Sequence, residues 1–400
     1  MNATRIERNI PKNYLFIFLS NTSLSEAIWM LYLAFRGMTL LQIGLIESVF
    51  HVTSLLMEVP TGIIADRFGR RTSRLLGRIM AMIGTLLMIA SRSFWGFVLA
   101  FVFVALSYNL ESGAGDALIY DSLVQVGKQD RYMRVKGRQE VAYQAAMIVS
   151  LVASGIVATF DYLLAYELAL GIHALSFGLS LSFMEPEVGR PNVAAIRRGF
   201  VRHIAESLRA LREHRAILVY ILFIEGFSLF CTTYRFYFQN FLKSRGFVEW
   251  QIGIVLAGAA VAGMIGAANA HRVEKLLGAR RLVSFSPFLA LAAFTLIAFT
   301  RLEIPAFIMC LAMDGILYVS FSDYINRLIP SERRATLLSF QAMAFSVMMI
   351  VFFPAVGAIA AGIGFKRAFA AMLAVSIPLL LTSRWLLLRR MPKEPPRAAS

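Results

Sequence analysis

Long apolar segments alternate with short polar connections along the whole chain of 400 residues. Most of these segments are about 20 residues long, which is the length that an α-helix needs to cross a bilayer. Because every backbone N–H and C=O must be bonded inside lipid, such segments are expected to be helices. We therefore predict an all-α membrane protein. Its twelve predicted spans lie near residues 14–35, 40–65, 74–91, 94–123, 139–160, 163–184, 215–241, 250–271, 280–300, 304–326, 335–362 and 365–388.

Composition supports this prediction. Hydrophobic residues make up 58% of the chain and charged residues 16%, and the mean hydropathy is +0.66. Soluble globular domains carry about 25% charged residues. The apolar excess extends over the whole chain, so we expect a polytopic protein whose surroundings are the lipid bilayer.

The basic residues are concentrated on one side of the predicted membrane. An even number of spans puts both termini on the same side, together with five loops near 66–78, 127–138, 185–215, 272–281 and 327–334. That side carries about 32 of the 40 Lys and Arg residues. The positive-inside rule then places both termini in the cytoplasm and the chain in the cytoplasmic (inner) membrane. Basic residues arranged in this way set topology, and they argue against nucleic acid as a partner.

The longest polar connection, residues 185–215, divides the chain into two halves. We predict an N-terminal six-helix bundle over 1–184 and a C-terminal six-helix bundle with a short cytoplasmic tail over 216–400. In the basic connection, apolar side chains recur at helical spacing at Ile204, Leu208 and Leu211. This pattern is typical of an amphipathic helix on the membrane surface. Linkage and topology control are its expected roles, with regulation or partner binding as the alternative.

A motif of small and charged residues follows the second span. Its members are Gly62, Asp66, Arg67, Gly69, Arg70 and Arg71. Gly62 is expected to let helices approach closely in lipid, and Gly69 to permit a turn with positive φ. If the helix continues, Asp66 and Arg70 are neighbours one turn apart. A loop that only sets topology is the alternative interpretation.

This G-x-x-x-D-R-x-G-R-R motif resembles the signature of major facilitator superfamily transporters of the bacterial type. The segment Glu111–Leu123 and the loop 329–336 are similar to those of a bacterial subset of that superfamily, and the turn 278–281 is similar to an eroded copy of the first motif. The resemblance implies two six-helix bundles related by pseudo-two-fold symmetry around a central cavity. The Gly-Pro pair found in span five of proton-linked drug exporters is absent here, which weakens a multidrug antiporter assignment.

The end of span four adds a candidate to this motif. Asp121 lies near the predicted cytoplasmic surface. We expect it to accept a hydrogen bond from Arg70 and to form, with Asp66, a cluster that locks a gate. Direct contact with substrate is the alternative role.

Ionisable groups inside spans are costly and are functional candidates by default. Five carboxylates are of this kind: Glu26, Glu111, Asp116, Glu225 and Asp314. The resemblance implies that spans one, four, seven and ten line the cavity, and these spans carry all five. A carboxylate in a low-dielectric site binds a proton more readily, so we predict that they couple proton movement to transport. Structural pairing, for example of Glu111 or Asp116 with Arg235, is the alternative.

Aromatic residues on the same spans suggest the chemistry of the cargo. Tyr32, Tyr108 and Tyr234, with Arg235, are predicted to contact substrate. Aromatic walls with a few carboxylates suit lipophilic and cationic compounds. The alternative is that these rings face lipid or pack in the protein.

Other classes of chemistry find no support in the sequence. We find no G-x-x-x-x-G-K-[ST] loop for ATP and no His/Cys spacing for a metal, and Cys231 and Cys310 lie in apolar segments as expected of buried thiols. We therefore expect that the protein binds no cofactor and no metal and that it is not an enzyme. We also expect it to be a monomer. The prediction is proton-coupled efflux of small lipophilic molecules. The alternatives are proton-symport uptake of a sugar or organic acid and, from another class, a membrane sensor or scaffold that does not transport.

Overall fold

The computed structural model describes residues 2–187, 215–328 and 334–391. These residues form fifteen α-helices and one short 3₁₀ turn. The predicted linker helix with Ile204, Leu208 and Leu211 lies outside the described residues. The helices are α1 Asn2–Glu7, α2 Asn9–Asn21, α3 Trp29–Phe35, α4 Leu40–Phe68, α5 Arg70–Ala90, α6 Phe94–Glu111, α7 Ala114–Gln125, α8 Tyr132–Phe160, α9 Tyr162–Leu181, α10 Arg215–Ser244, α11 Glu249–Leu277, α12 Ala279–Phe299, α13 Glu303–Leu328, α14 Arg334–Ile363 and α15 Phe365–Arg390.

Eleven of the predicted spans coincide with apolar helical segments long enough to cross a membrane. The all-α architecture predicted from the sequence is therefore confirmed. Several helix starts carry the side-chain caps that their sequences favour. At α4, Thr39 accepts from the backbone N–H of Gln42 at 3.2 Å, and the Gln42 side chain accepts from the Thr39 N–H at 2.9 Å. This reciprocal pair satisfies two N–H groups that a helix start otherwise leaves unbonded.

The remaining span, predicted as one helix over 14–35, is broken. Helix α2 ends at Asn21 and α3 begins at Trp29. The sequence at the break explains it, because hydroxyl and amide side chains compete with backbone donors for helix carbonyls. Thr22 Oγ1 donates to Phe18 O at 2.7 Å, and Asn21 Nδ2 donates to Ile17 O at 2.8 Å.

Helix α8 supplies the partners that this break requires. Ser150 Oγ accepts from the Ser23 N–H at 2.9 Å and lies 3.2 Å from Asn21 O. One turn further, Ser154 Oγ accepts from the Ala27 N–H at 3.2 Å. Unwound backbone is tolerated inside a membrane protein where side chains, such as these serine hydroxyls, form hydrogen bonds with its free N–H and C=O groups.

Span four is also divided into two helices. Helix α6 ends at Glu111 and α7 begins at Ala114. Gly113 between them has φ +76°, a left-handed conformation that glycine adopts without steric cost. Two of the predicted carboxylates lie beside this break, Glu111 before it and Asp116 after it.

The chain divides into two compact units. The first contains Met1–Phe200 with Gln239–Ala257, and the second contains Val201–Phe238 with Gly258–Ser400. The sequence analysis places segment 239–257 in the second bundle, which it predicts over 216–400. In the structure this segment packs within the first unit. The predicted bundle boundaries stay a prediction.

A close helix crossing joins that segment to α8. A Cβ placed on Gly155 would lie 2.6 Å from Glu249 O, and one on Gly253 would lie 2.5 Å from Leu151 O. Small residues of this kind let helices approach closely in lipid. Beside the crossing, Glu249 accepts from Lys243 Nζ at 2.5 Å and also from the Tyr162 hydroxyl.

Candidate functional site

The predicted motif after span two forms a charged cluster. Gly69 separates α4 from α5 and has φ +99°, as its sequence position predicts. Across this turn Arg70 Nη1 pairs with Asp66, and Arg70 Nε lies 3.9 Å from Asp121 Oδ2. The structure therefore brings together the three charged side chains that the sequence placed in one cluster. Their role in gating stays a prediction.

Glu185, which the sequence analysis did not single out, completes this cluster. Its two carboxylate oxygens accept from the backbone N–H groups of Arg70 and Arg71, both at 2.7 Å. These are the unbonded donors at the start of α5, where the helix dipole favours negative charge. A Cβ on Gly69 would lie within 2.9 Å of the carboxyl group and would displace it, so the positive φ is the main reason for glycine here and the closeness of Glu185 adds to it.

The other motif residues have lesser contacts. Among the described residues nothing lies within 4 Å of a Cβ built on Gly62, so the close helix approach expected there stays a prediction. Arg67 lies over the Phe68 ring, with 5.5 Å between the guanidinium carbon and the ring centroid. Arg71 Nη2 donates to Leu181 O at 2.8 Å, which ties the start of α5 to the end of α9.

In the first unit, Glu111 is an ion-paired residue. Its Oε1 lies 2.9 Å from Arg74 Nη2, and the Arg74 side chain is only 1% exposed. The Arg74 guanidinium also lies 4.2 Å from the ring centroid of Phe16 and 4.9 Å from that of Phe183. Glu111 therefore pairs with Arg74, a partner that the sequence analysis did not name.

A second buried arginine lies one helical turn along α5. Arg78 donates to Ser20 O at 3.3 Å and to Ser107 Oγ at 3.4 Å. Ser20 O belongs to the last turn of α2, where the helix dipole favours a cation. The sequence analysis counted Arg74 and Arg78 with the basic loop near 66–78, although the predicted span 74–91 also includes them. Their spacing offered a signal, because Arg74, Arg78 and Ala81 repeat at helical intervals and all lie on the buried face of α5.

The two other carboxylates of this unit differ from Glu111. Asp116 pairs with Lys136, with the amine 2.6 Å from a carboxylate oxygen, and both side chains are largely exposed. It therefore has a basic partner at the surface, Lys136. Glu26 lies in the break between α2 and α3, where its backbone N–H donates to Ser23 O at 3.2 Å. Its charge is close enough to act electrostatically on Tyr166 of α9.

In the second unit, two carboxylates bond to neutral partners. Glu225 of α10 is 7% exposed, and its Oε1 accepts from Gln341 Nε2 at 2.6 Å. Asp314 of α13 accepts from Ser228 Oγ at 2.9 Å. The negative charge of Asp314 acts on Glu225, and the positive charge of Arg235 acts on Asp314. Local spacing could not have revealed either partner. Ser228 lies 86 residues from Asp314 along the chain, and Gln341 lies 116 residues from Glu225.

The predicted substrate-contacting tyrosines divide into two kinds. Tyr32 is fully buried and donates to Met88 O at 2.8 Å, and Tyr234 is fully buried and lies 3.4 Å from Phe369 O. Both rings are therefore packed inside their own unit in this structure, and their contact with substrate stays a prediction. Tyr108 is 61% exposed. Arg235 lies 4.8 Å from the ring centroid of Phe236.

The cysteines are free and buried, as the sequence predicts. Their sulfur atoms are 3.0 Å apart, Cys231 on α10 and Cys310 on α13. Within the described ranges no group of three or more His, Cys, Asp or Glu side chains is placed to hold a metal ion. The chemistry that these residues offer is proton binding, hydrogen bonding and charge pairing.

Comparison with known proteins identifies the family. The Major Facilitator Superfamily profile matches residues 13–322. An uncharacterized MFS-type transporter, YxaM of Bacillus subtilis (strain 168), is 26% identical over 385 residues, which cover 88% of this chain and 90% of the relative.

Solved structures share the fold. The nucleoside transporter NupG superposes with a TM-score of 0.73 at 12% identity and covers 98% of this chain and 100% of its own. A structure of a bacterial homologue of the human lysosomal transporter Spinster gives a TM-score of 0.71 at 14% identity, covering 98% of this chain and 99% of its own. At these identities the likeness shows the fold alone. With an all-helical fold, eleven apolar spans, the charged motif after span two and a profile match over most of its length, the chain belongs to the major facilitator superfamily of membrane transporters.

Proposed function

We propose that this transporter works by alternating access and couples substrate movement to protons through Glu225 and Asp314. The observation that carries the proposal is the neutral bonding of these carboxylates, Glu225 to an amide and Asp314 to a hydroxyl. A carboxylate that is held away from water by neutral donors keeps its hydrogen-bond partner when it is protonated. Protonation also removes the free-energy penalty of burying an unpaired negative charge. Ion-paired Glu111 has no such freedom, because its protonation would leave Arg74 buried without its counter-charge.

The proposed cargo is a small lipophilic molecule and the proposed direction is export. Tyr108 offers an exposed aromatic surface, and carboxylates beside aromatic rings suit lipophilic cations. Such compounds cross bilayers unaided, so an energy-driven carrier changes their concentration in the cell mainly by removing them. Uptake of a polar metabolite is the alternative. Structural neighbours of this chain include a nucleoside transporter and proton dependent oligopeptide transporters.

The experiment uses inverted membrane vesicles with an imposed proton gradient and a pH-sensitive dye. Lipophilic cations, antibiotics, sugars, nucleosides and carboxylic acids are added one at a time. We expect a lipophilic compound to discharge the gradient with the native protein and not with Glu225→Gln. Asp116→Asn is the matched control, because Asp116 is exposed and already paired with Lys136. Discharge by Glu225→Gln at the native rate would contradict the coupling role.

The same panel separates the alternatives. A polar compound that drives proton entry in right-side-out vesicles would replace export by uptake while keeping the coupling residues. Binding of a compound without flux in either orientation would indicate a sensor.

We further propose that the cluster of Asp66, Arg70, Asp121 and Glu185 controls the rate of conformational exchange. Its support is the network of contacts that fixes the start of α5. Asp66→Asn is expected to slow exchange between conformations, as followed by single-molecule fluorescence, and to leave ligand affinity in place. Arg67→Gln is the control, since Arg67 is exposed and contacts Phe68. A loss of affinity with normal exchange would refute this role.

A further inference from the structure

A basic cavity lies within the second unit, where the start of α12 meets the end of α15. Its volume is about 380 Å³, and its lining consists of Arg280, Arg384, Trp385, Leu388, Arg389 and Met391. Three of the six lining residues are arginines and none is acidic. The cavity therefore combines concentrated positive charge with apolar walls.

The arginines are held in place by neutral groups. Arg384 donates from Nε to Ser284 O and from Nη2 to Ser284 Oγ, both at 2.9 Å. Arg280 Nη1 donates to Met391 O at 3.1 Å. These bonds orient the guanidinium groups without neutralising their charge. An oriented guanidinium binds the oxygens of a phosphate with little further loss of entropy.

The start of α12 contributes Arg280 to the cavity. This helix begins after Gly278, which has φ +77°, and within the described residues no side chain caps it. The corresponding turn of the first unit shows what such a helix start binds. There the N–H groups of Arg70 and Arg71 hold the Glu185 carboxylate. An anion at the start of α12 would find the same donors, together with the side chain of Arg280.

The surroundings of the cavity suit a lipid. The distribution of basic residues places this end of the helices at the cytoplasmic surface. Deeper in the span, Phe285 and Phe288 are exposed, and Trp385 is exposed at the cavity itself. Arg384 lies 5.0 Å from the Phe288 ring centroid, so the basic and apolar surfaces are continuous.

We propose that this cavity binds the phosphate of an anionic phospholipid, with the acyl chains lying along Phe285 and Phe288. Basic pockets between helix ends on the cytoplasmic side recognise such headgroups by charge. The site is independent of the residues assigned to proton coupling, so its test does not depend on transport.

The experiment measures lipid binding to the purified full-length protein by native mass spectrometry, with phosphatidylglycerol and phosphatidylethanolamine as probes. Native protein is expected to retain phosphatidylglycerol preferentially. Arg280→Gln and Arg389→Gln should each weaken that binding about fivefold, and the double variant about 25-fold. Arg390→Gln is the matched control, because this exposed neighbour on α15 does not line the cavity.

Two outcomes would overturn the proposal. An equal loss of binding in Arg390→Gln would show that only general surface charge is involved. Competition by glycerol phosphate at the same concentration as phosphatidylglycerol would show a site for free phosphate and not for a lipid. Thermal unfolding in zwitterionic lipid, expected to be unchanged in every variant, confirms that each variant is folded.

Discussion

A partly buried carboxylate of the first unit and a buried carboxylate of the second are held in opposite ways. Glu111 in the first unit faces a buried arginine that packs against two neighbouring aromatic rings. Glu225 in the second unit accepts a hydrogen bond from an amide. Neutralising Glu111 leaves the positive charge of Arg74 without a counter-charge, whereas neutralising Glu225 leaves its hydrogen bond to Gln341 in place. The difference teaches that burial alone does not identify a proton carrier; the charge of the partner does.

Loss of the buried cation should have the largest effect on stability. Arg74→Gln removes the partner of Glu111 and the cation between Phe16 and Phe183. Breaking a buried ion pair in this way costs about 3–5 kcal/mol. We expect a large drop in the thermal unfolding midpoint of the purified protein, or failure to accumulate in the membrane. A midpoint close to that of the native protein would show that the pair is not structural.

Neutralising Glu111 should cost almost as much. Glu111→Gln keeps a hydrogen-bond acceptor opposite Arg74 but leaves that buried cation without its counter-charge, and we expect a loss of about 3 kcal/mol, the lower end of the range for a broken buried pair. In the double variant with Arg74→Gln, the total loss of stability should be smaller than the sum of the two single-variant losses, because both changes remove the same interaction. Thermal unfolding of the four proteins in one detergent measures the coupling, and strict additivity would contradict a direct pair.

Neutralising Glu225 should have a smaller effect on stability and a decisive one on function. The amide of Glu225→Gln still offers an oxygen to Gln341 Nε2, so the free energy of unfolding should change by no more than about 1 kcal/mol. Proton-coupled flux should be lost. Destabilisation as large as that of Glu111→Gln would remove the contrast between the two units.

The smallest effect is expected at the exposed pair. Lys136→Gln leaves Asp116 in contact with water, and exposed ion pairs contribute about 0–1 kcal/mol. Raising the salt concentration should reduce even this difference, since exposed charges are screened. A loss above about 2 kcal/mol would show that Asp116 is not simply a surface residue.

The sequence predicted the spans well because a run of about 20 apolar residues needs no particular partner to be a membrane helix. It also predicted the Gly69 turn and the Asp66–Arg70 pair, which depend on local geometry. Arg74 escaped prediction because its partners come from distant parts of the chain, Phe16, Glu111 and Phe183. Charge alone suggested a loop, and only tertiary packing reveals a buried cation.

Gly62 and the first span show a related limit. A small residue permits a close approach, but only a neighbouring helix can make one, and nothing in the described part of the chain lies within 4 Å of a Cβ built on Gly62. The hydroxyl-rich stretch after Ser20 was visible in the sequence as polar residues inside a span. Whether the helix continues there depends on Ser150 and Ser154 of α8, which local sequence does not include.

The broken first span has a consequence for biogenesis. It leaves the ribosome before α8 exists, yet the donors and acceptors exposed by its break bond to Ser150 and Ser154 of that helix. Each such group left unbonded in lipid costs several kcal/mol. We expect the nascent first span to remain poorly inserted, sheltered by the insertion machinery, until more than a hundred further residues have been made. A chain truncated before α8 should then be cleared by membrane proteases.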